Sequence, residues 1–388
     1  MPGNSQAHPV PPLVQPYVEK NSIITRSPGR INLIGEHTDY NNGFVLPAAI
    51  DKAAYLVMTP RADGAIHLRA ADMDEVYSTS VSRVEKATHT AWPNYMLGVV
   101  QQFLDAGVSV AGFDATLSAD IPVGAGLSSS AAVECAVALA LNELSGAGLD
   151  KMSLVRLAQK AENEYVGVQC GIMDQFASMF GKKDHVIRLD CRSLAYTYVP
   201  FTLDGIKVVL LDTNVKHSLG SSAYNDRRAQ CETGVAWMRA QDNSVNSLRD
   251  ATMDMLTAWV LPRDRLIYQR CRYVVEENDR LLAACDDLEA GDLPAFGRKM
   301  YATHEGLSRD YEVSCPEADF LVEAVKLLPA VLGARMMGGG FGGCTINLVE
   351  EEAVQEMIRS CRDAYRKNMN RELKAYIANI ESGSSVIA

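Results

Sequence analysis

Residues 122–132, Pro122-Val123-Gly124-Ala125-Gly126-Leu127-Ser128-Ser129-Ser130-Ala131-Ala132, join two contrasting patterns. Upstream, Phe113, Ala115, Leu117 and Ala119 alternate as one face of a strand does. Downstream, 127–144 is apolar almost all round, which predicts a helix buried centrally rather than laid on a surface. The glycines between them let the backbone curl and approach a ligand. The serines supply hydroxyls at a helix start, where the free N–H groups of the first turn face an anion such as phosphate. No G-x-x-x-x-G-K-[ST] is present, and Ser129 stands where a dinucleotide fingerprint needs its third glycine, so the segment is neither a P-loop nor a dinucleotide motif.

Outward from this core the chain predicts an α+β architecture with a β-rich opening and a helix-rich second half. Short extended pieces are expected at 22–26 and 31–34, flanking Ser27-Pro28-Gly29, then strands in 44–58, 66–69 and 76–81. Helices are expected at 94–106 and 154–165, and strands at 186–189, 195–199 and 208–212, with 195–199 leading into a second domain. Helical patterns follow at 223–240, 252–258, 266–285, 292–307, 317–328 and 351–368, with strands at 345–349 and 374–379. A length of 388 residues suits two domains, and residues 1–19, rich in proline, read as a flexible lead-in.

Three further segments concentrate chemistry. Residues 27–41 pack Arg30, Glu36, His37 and Asp39 between apolar strands, and Glu36, His37 and Asp39 offer acceptors and a donor suited to neighbouring hydroxyls. A metal site of those three residues lacks the H-E-x-x-H pattern. In 162–176, Asp174 is a lone acid after a glycine at a helix start. It suits either an N-cap or a base for a hydroxyl proton, with Arg30 as the candidate cation beside it. At 338–343, five glycines in six positions precede an alternating strand, which implies a close backbone approach or a crowded crossing of two domains.

A net charge of −11 argues against non-specific nucleic-acid binding. No apolar run is long enough to span a bilayer, and the start lacks the basic and apolar regions of a secretory signal. Nine cysteines without C-x-x-C spacing fit reduced thiols, so a soluble cytoplasmic protein is expected.

The four segments, in this order and spacing, resemble the GHMP kinase superfamily. G-R-I-N-L-I-G-E-H-T-D-Y-N-N-G-F-V-L-P at 29–47 and C-G-I-M-D-Q-F at 170–176 resemble galactokinases in particular. The resemblance covers nearly the whole chain from about Ser22; Ile31, Ala125 and Gln169 are its minor departures. It implies two lobes with the site between them: an N-terminal lobe like domain 2 of ribosomal protein S5 at 20–195, and a helix-rich ferredoxin-like lobe at 196–388. The implied activity is transfer of phosphate from ATP to the C1 hydroxyl of D-galactose with Mg²⁺, the first step of galactose breakdown, by a monomer.

By the same resemblance Asp174 is the base and Arg30 its electrostatic partner, while Glu36, His37, Asp39, Gly171 and Tyr224 contact the sugar. Gly124, Gly126, Ser128, Ser129 and Ser130 cradle the triphosphate, Ser130 and Glu162 hold Mg²⁺, and Trp92 and Asn94 line the adenine side. An N-acetylgalactosamine kinase and a non-catalytic galactose and ATP sensor are the alternatives. The complete serine loop, with Arg30 and Asp174 both present, weighs against the sensor.

Overall fold

Burial of alternating faces and of one all-apolar helix organises the first part of the chain. The computed structural model describes residues 9–122, 124–215 and 220–387. The strands β1 (Ile23–Asn32), β2 (Phe44–Val45), β3 (Pro47–Arg61), β4 (Ala65–Ala70), β5 (Glu75–Ser80) and β6 (Gly112–Ala119) come first, with helix α1 (Pro93–Asp105) before β6. Helices α2 (Ser129–Ser145), α3 (Lys151–Lys160) and α4 (Met173–Phe180) follow, then β7 (His185–Asp190) and β8 (Tyr196–Pro200).

The second part runs β9 (Ile206–Asp212), α5 (Gly220–Arg239), α6 (Met253–Met255), α7 (Arg265–Glu289), α8 (Leu293–Glu305), α9 (Pro316–Lys326), β10 (Val331–Met336), β11 (Cys344–Glu350), α10 (Val354–Met369) and β12 (Lys374–Ala378). A last short strand, β13 (Ser385–Val386), returns to pair with β1.

Among the described residues three sheets form, ordered β13-β1-β3-β6-β4-β5, β10-β11-β9-β12 and β2-β7-β8. All their pairings are antiparallel except β4 with β6. As its composition predicts, α2 is buried on every side from Ala131 to Leu141, against β1, β3, α1, α3 and α4. It is the axis around which the first lobe packs.

Several local expectations change. Ser27-Pro28-Gly29 does not separate two extended pieces: one strand, β1, runs through it with a register shift between Pro28 and Arg30. A strand so polar can be buried because most of its side-chain polar groups find partners, Arg26 Nε excepted. Ser27 Oγ bonds the hydroxyls of Ser178 (2.9 Å) and Ser384 (2.7 Å), and Arg26 donates to the carbonyls of Asp51 and Ser382. The strand at 195–199 does not lead away; β8 pairs with β7 and stays with the first lobe, and the change of sheet falls at 201–205. Residues 10–18 are not a loose tail either. Val14 is fully buried with Ile24 and Val57, and Val10 and Val18 pack on them. Residues 1–8 of the expected lead-in, and Val123, lie outside the described residues. Strand β10 has no clean alternation in sequence. It forms because β11 pairs along it and Gly333 lies against Gly297 of α8, where a Cβ would meet backbone at 2.5 Å.

Candidate active site

Arg30 sits at the bulged end of β1, where its N–H donates to Leu127 O at 3.1 Å and Gly29 leaves no room for a side chain against that carbonyl. Asp174 occupies the first turn of α4, where a helix N-terminus favours an anion. The two meet as a two-pronged pair, Nε to Oδ1 and Nη2 to Oδ2, both 2.8 Å. Arg30 also donates through Nη1 to Gly126 O at 2.6 Å, and Ser128 Oγ donates to Asp174 Oδ2. Gly126 and Ser128 reach these positions with φ of 75° and 56°. Ser128 therefore spends its hydroxyl on Asp174 rather than on capping α2. Base candidate, cation and serine loop are thus one hydrogen-bonded unit.

Beside them, Ser130 Oγ in the first turn of α2 donates to Glu162 Oε1 at 3.0 Å. The helix expected to run from 154 to 165 is α-helical only to Lys160. It widens into a π turn over Ala161–Val166, which carries Glu162. Gln175 Nε2 bridges Glu162 Oε2 (2.6 Å) and Glu134 Oε2 (3.0 Å). Burial, and then each acid's negative neighbours, raise the carboxyls of Glu134 and Glu162 above their usual range. Glu134 Oε1 and Gln175 Oε1 are buried without a hydrogen-bond partner. The spot is therefore short of positive charge. Hard oxygens from one hydroxyl and one carboxylate suit Mg²⁺, which is commonly held by one or two protein ligands plus phosphates. Among the described residues no group of three or more His, Cys, Asp and Glu forms a full metal cage.

A cavity of about 190 Å³ opens on the free side of Asp174, of a size for a monosaccharide. Arg30, Glu36, His37, Asp39, Glu162, Gly171, Asp174 and Tyr224 all line it, so the structure brings together the sequence-designated sugar, base and acid residues. The loop 124–130 adjoins this cavity through Ser128 and Ser130. Trp92 and Asn94 do not line it. Trp92 Nε1 donates to Glu75 Oε2 (2.7 Å), and the Asn94 amide is spent on the backbone of Ala87.

The second lobe closes the cavity with Gly338 and Gly339. Gly338 and Gly343 have φ of 82° and 73° and pass close to Gly126 and Ala125, so the glycine run is a crossing of the two lobes, as its composition implies. Glu36 fixes that crossing: its Oε1 accepts from Gly338 N (2.8 Å) and Arg335 Nη2 (3.0 Å). Arg335 is wholly buried and also donates to the carbonyls of Asn32, Leu33 and Met336. Sequence reasoning leaves Arg335 without a role, and misses Glu134 and Gln175, because no local pattern marks partners that are distant in the chain.

Gly171 is needed for space. A Cβ there would stand 1.9 Å from Asp39 Oδ2. Gly171→Ala is expected to displace that carboxylate and weaken binding of any ligand that uses it roughly 10–10²-fold, as read by calorimetry with a monosaccharide and no nucleotide; unchanged binding would leave Asp39 outside the ligand contacts.

Three family models match the sequence: the galactokinase galactose-binding signature over residues 15–60, the GHMP kinase N-terminal domain over 94–182, and the GHMP kinase C-terminal domain over 284–367. The galactokinase of Roseiflexus sp. (strain RS-1) is 42% identical over 361 residues, spanning 93% of this chain and 92% of its own. That of Thermotoga neapolitana (strain ATCC 49049) is 42% identical over 93% of this chain and 98% of its own. The solved structure of Lactococcus lactis galactokinase complexed with galactose superposes with a TM-score of 0.91 at 36% identity, covering 95% of each chain. A mevalonate kinase structure, TM-score 0.65 at 17% identity over 92% of this chain and 99% of its own, shares the fold alone.

Proposed function

This chain belongs to the galactokinases of the GHMP kinase superfamily, enzymes that take ATP as a substrate, and on that footing we propose that it phosphorylates D-galactose at the C1 hydroxyl through Asp174. The observation that carries the residue roles is the Arg30–Asp174–Ser128 unit beside a small cavity lined by several charged side chains. A carboxylate offers about four acceptor positions. Three are filled here, one on Oδ1 and two on Oδ2, which leaves Oδ1 a place for a substrate hydroxyl. Arg30 aims Asp174 through its two-pronged contact, and as the C1 oxygen attacks the γ-phosphorus Asp174 accepts the departing proton. In a loose transition state most of the work is positioning and charge stabilisation, which the α2 N-terminus supplies at the phosphates. Ser130 and Glu162 would hold Mg²⁺, which would supply charge neutralisation at the phosphates.

Glu36 and Asp39 receive sugar hydroxyls, Glu36 through Oε2 because both its protein bonds fall on Oε1. Burial, and then the charge of Asp174, push the Asp39 carboxyl up to about 7. Below that pH it carries a proton, and above it the carboxylate can only accept hydrogen bonds. Galactose binding that uses the ionised form should therefore tighten as pH rises through about 7, and Asp39→Asn should remove that inflection. The pH dependence of KM for galactose checks this. Affinity that falls with pH over the same range would assign Asp39 the opposite role.

The assay of the whole reading measures ADP release from MgATP with galactose, N-acetylgalactosamine, glucose, homoserine or mevalonate. Release with galactose alone supports it. Release with N-acetylgalactosamine instead moves the substrate, and no release with any sugar overturns the kinase assignment.

A further inference from the structure

A line of polar groups that phosphoryl transfer does not use runs behind the sugar cavity. Cys231 Sγ on α5 lies 3.1 Å from Tyr311 Oη, Tyr311 Oη lies 2.8 Å from Tyr40 Oη, and Tyr40 Oη lies 2.7 Å from His37 Nδ1. His37 Nε2 ends the line 3.2 Å from Gly339 O. The direction of every bond follows from that end. A carbonyl only accepts, so Nε2 carries the ring proton. Burial lowers the His37 pKa to about 4, so the ring is neutral and Nδ1 must accept, from Tyr40. Having given its proton, Tyr40 accepts from Tyr311, and Tyr311 accepts from the Cys231 thiol.

The ring has little freedom to do otherwise. Its centroid lies 4.9 Å from that of Tyr311 and 5.3 Å from that of Tyr224. The His37 backbone is held at φ 62°, unusual for a residue with a side chain, with its carbonyl tied to Asn41 Nδ2 at 2.9 Å. Such a conformation persists where surrounding contacts over-determine it.

We infer that the Gly339 carbonyl sets the Nε2–H tautomer of His37 and that Tyr40 and Tyr311 are positioning residues that hold it, so that His37, which lines the sugar cavity, meets a sugar oxygen as a donor and never as an acceptor. The inference rests on the sugar-site reading for the ligand, while the tautomer itself does not. At 3.2 Å the bond to Gly339 O is long, so the same N–H can be shared with a hydroxyl oxygen of the ligand.

The test uses the full chain labelled with ¹⁵N in histidine, without any substrate, alongside turnover kinetics with galactose. Wild-type protein should show a His37 ring with Nε2 protonated and Nδ1 bare, and the pattern should not change from about pH 6 to 9, well above the lowered ring pKa. Tyr40→Phe should give a mixed-tautomer ring pattern, and it should raise KM for galactose roughly three- to tenfold, the worth of one hydrogen bond, more than it lowers kcat. Tyr311→Phe should shift both readouts in the same direction by less, and it decides the matter if Tyr40→Phe does not fold. A wild-type ring protonated at Nδ1, or variants with an unaltered ring pattern and KM, would overturn the inference. If the protein turned over a different substrate, the ring pattern would still stand, so the two failures are distinguishable.

Discussion

Asp174→Asn is expected to lower turnover with galactose and MgATP by roughly 10²–10⁴-fold, while galactose binding survives. The amide has the size of the carboxylate but cannot accept a proton from a hydroxyl, so the loss falls on kcat rather than on KM. It has a second effect that must be separated. The substituted amide cannot satisfy the guanidinium fork, because one of its prongs would meet an NH₂ group instead of an oxygen. Arg30 then keeps Gly126 O and one amide oxygen but loses its counter-charge, with its side chain 6% exposed. Single-turnover kinetics with saturating galactose, together with a thermal unfolding curve, distinguish lost proton acceptance from lost structure. Turnover above roughly a tenth of the wild-type rate in a folded Asp174→Asn protein would transfer the base role elsewhere in the cavity.

Arg335→Met is expected to cost about 3–5 kcal/mol of stability, because it leaves Glu36, 2% exposed, as a buried carboxylate without its cation. The carbonyls of Asn32, Leu33 and Met336 lose their donor at the same time. The paired change Arg335→Met with Glu36→Gln should recover part of that stability, since a neutral amide tolerates the same burial better. It should not recover sugar affinity, because Glu36 holds Gly338 and lines the cavity. Chemical denaturation and galactose titration of the two singles and the double check both halves. If the double is no more stable than Arg335→Met, the buried pair is not what joins the lobes at this point.

Much of the scaffold was legible because local pattern and tertiary environment agree. The alternation in 113–119 and the all-round apolarity of 127–144 became β6 and the central α2 with boundaries shifted by one or two residues. Where they disagreed, the reading failed for identifiable reasons. Two short pieces are expected either side of Ser27-Pro28-Gly29, yet the hydroxyls of Ser178 and Ser384 satisfy Ser27 and β1 runs through. The widening of α3 into a π turn at Ala161–Val166 has no sequence mark, although it determines where Glu162 sits. Residues 10–18, rich in proline, pack because Val14 finds a pocket beside Ile24 and Val57.

Residue types establish which chemical groups are present and the order of the motifs that carry them: Arg30, the Glu36-His37-Asp39 cluster, the glycine-serine loop, Asp174 and the second glycine run. These could be read from the linear chain, since only certain side chains accept a proton, pair with a carboxylate or leave room for a close backbone. Which of them touch is a property of the folded molecule. Arg30 and Asp174 are 144 positions apart and Glu36 and Arg335 are 299 apart, yet both pairs close to within 3.0 Å. Distances of that kind are set by how β1, the α2 loop, α4 and the glycine crossing pack on one another. No periodicity or spacing in a linear chain carries that packing, because each contact depends on every other element being in place.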